Sequence, residues 1–317
     1  MSEAERAEWL TARRAGIGGT DIAAILNMSP YAGPLDVWMD KKGVSTPKIE
    51  TPEMRWGKKL ETAIRERYEE ETGWAVTQPG LQTHTLHPIM IGTPDGIVDD
   101  GLGGRVLEIK TSRWSQGWGD PGTDLIPPHY LMQCSHYMAV CDLDRCDVAA
   151  LIGGSDFRVY HLRRDFEIES YLTETATAWW QRHIIEDRPP GIDGSDGAKK
   201  YLEYKYPRNT APLKTATDDL NILLAELEAA RCGSVAAELV KNAIENRIKD
   251  FIGDADVVEG IIAGATWKLT KDGVKTDWES VGKSLLGLIS ITEAERLVKK
   301  HTVPKPGLRR FLFTIKE

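Results

Sequence analysis

The fold turns on GTPDGIVDDGLGGRVLEIKTS, residues 92–112. The runs Ile89 to Val98 and Arg105 to Thr111 each read as a strand, and the intervening DDGLGG carries the glycines and aspartates of a tight connection, so together they predict a hairpin. Side chains two apart on a strand share a face, which sends Glu108 and Lys110 one way and Leu107 and Ile109 the other. Asp95, near the end of the first strand, can join Glu108 and Lys110 across the hairpin. Two carboxylates at one point repel, and a divalent cation relieves them. Mg²⁺ takes hard oxygen ligands and keeps several waters, so Asp95, Glu108 and the backbone carbonyl of Ile109 make a candidate ligand set, with Mn²⁺ expected to substitute. A lysine beside such a metal can orient an attacking water or help deprotonate it, which is the chemistry of phosphodiester hydrolysis. The bare pattern P-D-(x)n-E-x-K also arises as solvated charge on an exposed hairpin, so its setting must be read outward.

Upstream, Gly18 and Gly19 precede Thr20, which reads as the N-cap of a short helix over 21–27. A longer helix over 53–72 places Trp56, Leu60, Ile64 and Tyr68 on one stripe, carries Glu61, and stops at Gly73. Ala75 to Thr77 reads as a further strand. Downstream, Pro127 and Pro128 open a helix with Leu131, Cys134, Tyr137, Met138 and Cys141 at helical spacing, on which Gln133 and Tyr137 share a face. Val148 to Ile152 and Phe157 to Leu162 follow as a second hairpin, then a helix over 165–186. DRPPGIDGSDG breaks the pattern and sets the expected domain boundary, giving an α/β core over 1–190 with a small mixed sheet flanked by helices. In the appendage over 191–317, stripes over 215–230 and 234–252, broken near Gly233, suit a helical hairpin. Short strands at Val257 to Ile262 and Thr266 to Thr270, and a terminal strand at Arg309 to Ile315, complete a small β element.

Composition narrows the class. At 41% hydrophobic residues the chain can build a packed core, yet no apolar run is long enough to span a bilayer, and the charged start is no signal peptide. A cytoplasmic protein that avoids membranes is expected. Cys134, Cys141, Cys146 and Cys232 form no C-x-x-C array and fit no iron–sulfur spacing, which favours reduced thiols. The histidines make no H-x-x-x-H or H-E-x-x-H pair, against a zinc hydrolase, and no G-x-x-x-x-G-K-[ST] loop is present. The net charge of −8 opposes nonspecific DNA binding, but basic residues gather at Arg13 and Arg14, at 199–214 and at 299–310.

WLTARRAGIGGTDIAAIL (9–26), WGKKLE (56–61), GTPDG (92–96), LEIK (107–110) and QCSHY (133–137), in this order, resemble the PD-(D/E)xK nucleases of the YqaJ type, phage recombination exonucleases of the lambda kind, from about Trp9 to Trp180. The resemblance implies Asp95 and Glu108 as metal ligands, Lys110 acting on the nucleophilic water, Glu61 supporting the metal site, and Gln133 beside the lysine with Tyr137 on the same helix. It implies Arg13 as the residue that binds a terminal 5′ phosphate, with Thr20 where a serine is common; Arg14 can stand in for Arg13. A free helix N-terminus at Gly18 to Thr20 favours an anion on physical grounds. The implied activity is a 5′ to 3′ exonuclease on duplex DNA ends that leaves a 3′ single strand, works with a single-strand annealing protein, is encoded by a phage or prophage, and forms a homotrimeric ring on DNA. An endonuclease of the same superfamily and a non-catalytic DNA-end-binding module are the rival readings. The appendage departs from the compact lambda-type enzyme and shows no second acidic cluster with a lysine.

Overall fold

The computed structural model describes residues 11–45, 50–207, 217–252, 257–259, 264–266 and 290–302, with isolated positions at 279, 282 and 285. The chain divides into two compact units, Met1–Pro207 and Arg208–Glu317.

In the first unit, after a helical turn at 11–14, come α1 (Gly19–Ile25), α2 (Pro34–Lys41) and α3 (Pro52–Thr72). Thr51 caps α3 by accepting from the Met54 amide at 3.3 Å, Pro52 begins it, and Gly73 ends it in the left-handed conformation at φ 73°. Then come β1 (Val76–Thr77), β2 (Gln82–Thr83), β3 (Ile91–Gly92), β4 (Gly96–Val98) and β5 (Arg105–Ser112), followed by α4 (Pro128–Cys141), the hairpin β6 (Arg145–Ile152) and β7 (Asp156–Arg163), α5 (Phe166–Trp180) and α6 (Asp196–Lys205). A π-helical turn, Gln181–Ile185, extends α5.

The sheet is mixed, in the order β1-β4-β5-β6-β7. Only β5 and β6 run parallel, with Glu108 opposite Val148 and Lys110 opposite Ala150, and α4 is their crossover. The alternation along β5 sorts its two faces. Leu107 and Ile109 pack with Ile64 and Tyr68 of α3, while Val106 packs with Cys134 and Met138 of α4 and with Val148, Ala150 and Ile152 of β6. A third cluster joins α1, α2, α5 and α6 around Ile22, Leu35, Trp38, Leu172 and Tyr201.

This mixed α/β core with helices on both sheet faces matches the sequence-based expectation, and several elements differ from it in detail. The run Ile89 to Val98 is two strands: β3 pairs with β2 in a separate ribbon, and β4 joins the main sheet. Pro94 has no amide to give a ladder, so the chain changes sheets there and leaves Asp95 in the crossing segment. The first helix is capped by the extended Gly18, whose amide donates to Asp21 Oδ2 at 2.9 Å, so Thr20 lies within the first turn and is not the N-cap. Trp56 leaves the predicted core stripe and is 61% exposed, one turn before the helix meets the sheet. The first unit also runs past the boundary expected at 190, because α6 buries Ala198 and Tyr201, with Tyr201 edge-on to Trp38 at 5.5 Å between ring centroids.

In the second unit the predicted helical hairpin is a single helix, α7 (Asp218–Ile252), continuous through Gly233. One glycine costs a helix interior about 0.5–1 kcal/mol, too little to force a turn where Ala229, Ala230, Ala236 and Ala237 favour helix on both sides. Strands β8 (Val257–Glu259) and β9 (Gly264–Thr266) pair antiparallel, the second earlier than the expected 266–270, and α8 (Ile291–His301) follows. The expected terminal strand at Arg309 to Ile315 lies outside the described residues.

Candidate active site

The β4–β5 ladder ends at Gly96 opposite Leu107. The amide of Ile109, beyond that end, donates to Asp95 Oδ2 at 2.7 Å, so a side chain takes the place of the missing strand and draws Asp95 to β5. Glu108 stands on the adjacent face of β5, 2% exposed. Its Oε1 accepts from Gln133 Nε2 at 2.6 Å and from the ammonium of Lys110, whereas its Oε2 is buried without a hydrogen-bond partner. Lys110 Nζ also lies 4.8 Å from the ring centroid of Tyr130, a residue of α4 that the sequence reading passed over.

The electrostatics reflect this crowding. Burial first, then the Asp95 carboxylate and more weakly that of Glu61, push Glu108 up to about 8, against the pull of Lys110. Burial also raises Asp95, and burial together with Asp95 raises Glu61 on α3. Lys110 moves the other way: burial disfavours its charge, but the Glu108 and Asp95 carboxylates outweigh burial and hold it protonated well above its ordinary value. Three carboxyl groups are thus raised around one lysine, each favoured by one more positive charge.

Glu108, Lys110 and Gln133 are joined directly by hydrogen bonds, Asp95 is held to the same strand by the Ile109 amide, and Asp95 and Glu61 are joined to the cluster through their charges. Among the described residues, no group of three or more His, Cys, Asp or Glu side chains forms a ready metal cage. The donor set nevertheless fits a Mg²⁺-type ion, which asks the protein for one or two carboxylates and retains waters, and the partnerless Glu108 Oε2 is an oxygen available to it.

Tyr137 links this cluster to the glycine-rich segment. Its hydroxyl accepts from Gln133 Nε2 at 3.3 Å, and its ring lies where a Cβ on Gly19 would come within 2.7 Å and a Cβ on Gly92 within 2.7 Å. Both positions therefore need glycine for close approach. Next to Gly19, Thr20 Oγ1 accepts from Arg13 Nη2 at 3.4 Å, and Arg13 Nη2 stands 3.6 Å from Asp21 Oδ1. Arg14 is turned toward Gly43, and its Nε is buried without a partner, so Arg13 is the arginine brought to Thr20.

The sequence reading also missed Lys41. Its side chain is 0% exposed, and its ammonium donates to Asp21 Oδ2 at 2.6 Å and to the Arg13 carbonyl at 3.0 Å. Burial works against the charge on Asp21, yet Lys41 and then Arg13 hold its carboxyl below the ordinary value. A signal was present: Lys41 follows Val37 and Trp38 by four and three residues, which puts a charge on the buried stripe of α2. All four cysteines are free thiols, and among the described residues no helix is long and apolar enough to cross a membrane.

Comparison with known proteins matches residues 8–144 to a family model described as a YqaJ-like viral recombinase domain. The uncharacterized protein YqaJ of Bacillus subtilis (strain 168) is 30% identical over 270 residues, spanning 80% of this chain and 82% of that protein. The uncharacterized protein R354 of Acanthamoeba polyphaga mimivirus is 30% identical over 155 residues, 46% of this chain and 28% of that one. Among solved structures, an alkaline exonuclease (LHK-Exo) from Laribacter hongkongensis is 21% identical with a TM-score of 0.46, covering 63% of this chain and 97% of its own.

Proposed function

The chain belongs to the YqaJ-like viral recombinase family, and from that premise we propose that it is a Mg²⁺-dependent exonuclease with a PD-(D/E)xK core. In this reading it degrades the 5′-ended strand of linear duplex DNA and leaves a 3′ single strand. The observation that carries the proposal is the set of carboxyl groups at Asp95, Glu108 and Glu61, all raised, around Lys110, with Glu108 Oε2 lacking any partner.

Asp95, Glu108 and the carbonyl of Ile109 would hold the ion. When bound, it supplies a water of lowered pKa and positive charge for the scissile phosphate. Gln133 fixes the Glu108 carboxylate through Oε1 and leaves Oε2 for coordination. Lys110, kept cationic by the two carboxylates, orients the attacking water as a donor and stabilises charge growing on the phosphate. Arg13 and Thr20 take the terminal 5′ phosphate, and the wedge of Tyr137 between Gly19 and Gly92 holds that receptor in place relative to Glu108. Mn²⁺ is expected to replace Mg²⁺.

The implied biology is phage or prophage recombination in the bacterial cytoplasm, with a single-strand annealing protein taking up the 3′ strand. A homotrimeric ring would retain DNA without a motor and without strong phosphate contacts, which suits a net charge of −8. Light scattering after size exclusion checks the ring: a mass near the 35.3 kDa of one chain together with processive digestion excludes it. Incubating end-labelled linear and closed circular duplex with Mg²⁺ checks the activity. Loss of label from 5′ ends of the linear form alone is expected; cutting of the circle would instead make the protein an endonuclease, and binding without degradation an end-binding module.

A further inference from the structure

Tyr31 leaves most of its surface in water and yet is fastened at several points. It lies in the loop between α1 and α2 and is 77% exposed. The loop fixes its backbone: the Ser29 amide donates to the Ala23 carbonyl at 3.1 Å, the Tyr31 amide donates to Ser29 Oγ at 3.2 Å, and the ring of Pro30 locks the φ between them. The side chain is held from the start of α4. His129 meets its ring in a T-shaped arrangement, 6.0 Å between centroids, and the Tyr31 and Tyr130 hydroxyls hydrogen-bond to each other.

These anchors lead to the cluster on β5. Tyr130 packs against His129 at 4.0 Å and against Trp118 at 5.6 Å between ring centroids, and its own ring lies 4.8 Å from Lys110 Nζ. One aromatic side chain thus links Tyr31 to the lysine of the proposed active site. A ring already ordered by folding gives up little further freedom when a ligand packs on it, so an exposed but fastened aromatic is a pre-organised contact. Of the parts of a DNA strand whose phosphate meets Lys110, the base is the planar one, and a base stacks on such a ring. Every base has a π-face, so the contact is indifferent to sequence, as digestion of any duplex end requires.

We propose that Tyr31 stacks on an unpaired base of the strand being cut, and that His129 and Tyr130 fix its ring beside Lys110 for that purpose. The proposal rests on the reading of the chain as a nuclease acting on duplex ends. Tyr31 touches the substrate away from the reacting atoms, so its loss weakens binding rather than the chemical step.

The test is equilibrium binding of the full chain to 5′-phosphorylated duplexes, read by fluorescence anisotropy with divalent metal chelated. The duplexes are intact or carry one abasic nucleotide, placed in turn at each position near the phosphorylated end. Stacking of one base on an aromatic side chain corresponds to roughly a tenfold change in affinity. Tyr31→Ala is therefore expected to weaken binding of the intact duplex about tenfold and to leave unchanged the affinity for the duplex that is abasic at the stacked position. Both proteins meet the same pair of duplexes, so the altered fraying of an abasic end cancels in the comparison. Tyr31→Phe, which keeps the ring, is expected to retain the preference for the intact duplex. Tyr31→Leu carries the expectation of the alanine variant should that one fold poorly by circular dichroism. Equal losses on intact and abasic duplexes, or no loss on either, overturn the role of Tyr31. Mg²⁺-dependent digestion of linear duplex by the unsubstituted protein separates the two ideas. If digestion occurs while the variants show no base-dependent loss, the role of Tyr31 alone fails; if digestion does not occur, the nuclease reading fails and this proposal with it.

Discussion

Glu108 shows how a single side chain can be held in an unfavourable state. It is enclosed, faces two other acids, and gives one oxygen to Gln133 and Lys110 while the other has no partner. Glu108→Ala is expected to abolish Mg²⁺-dependent hydrolysis, whereas Gln133→Ala, which removes only the outer partner, is expected to lower metal affinity or rate by about 10–100-fold. Initial rates across a Mg²⁺ titration distinguish these, and near-normal rates in either variant would contradict the site. The raised Glu108 also sets a pH dependence. Its folded value of about 8 lies above the 4.5 of an ordinary glutamate, so its contribution to metal-free stability is complete below the unfolded value and is lost as pH rises through 8. Metal must displace that proton, so the gain in Tm on adding Mg²⁺ is expected to be larger at roughly pH 9 than at roughly pH 6. Equal gains in differential scanning fluorimetry would count against Glu108 as a ligand.

Among the elements, α3 and the sheet are tied by one buried acid. Asp147 of β6 accepts from Tyr68 Oη of α3 at 2.7 Å, from Arg105 of β5 at 3.0 Å and from His161 of β7 at 2.8 Å. Removing a buried acid strands its partners, so Asp147→Ala is expected to cost about 3–5 kcal/mol in urea unfolding. A loss below about 1 kcal/mol would show the network to be incidental. At this scale the sequence was informative wherever the pattern was local. The β4–β5 and β6–β7 pairs, the start of α4 at its prolines and the stop of α3 at Gly73 all follow from turn chemistry and periodicity. The meeting of Glu108 and Lys110 was likewise legible, because alternation fixes which strand residues share a face, whereas the place of Gln133 beside them came from the family resemblance and not from spacing. What was not legible depends on distant partners. Trp56 fits an apolar stripe yet stays outside the core, Gly233 resembles a break yet is spanned by helix, and Lys41 and Tyr130 gain meaning only from residues remote in the chain.

At the scale of the whole molecule, the two compact units place the functional cluster within the first, Met1–Pro207. Truncation after residue 207 is expected to leave a cooperatively folding protein, whereas truncation after 190 removes Tyr201 from the packed cluster around Trp38 and is expected to cost about 3–5 kcal/mol. Urea melts of the two truncations compare them directly, and equal stability would show α6 to be dispensable. Across this unit the ring of Tyr137 has a further consequence. It fills the space between Gly19, next to the proposed end-binding residues, and Gly92, just before Asp95, while its hydroxyl meets the amide that steadies Glu108. Under the proposed function, the interval from the residues that take a strand end to the point of cutting is set by the thickness of one aromatic ring, like a gauge block between two jaws. A rigid interval gives products of one length. Tyr137→Ala removes the block, and under the proposed function chromatography of its acid-soluble products is expected to show a wider spread of fragment lengths than the unsubstituted protein gives; an unchanged spread would count against the spacing role.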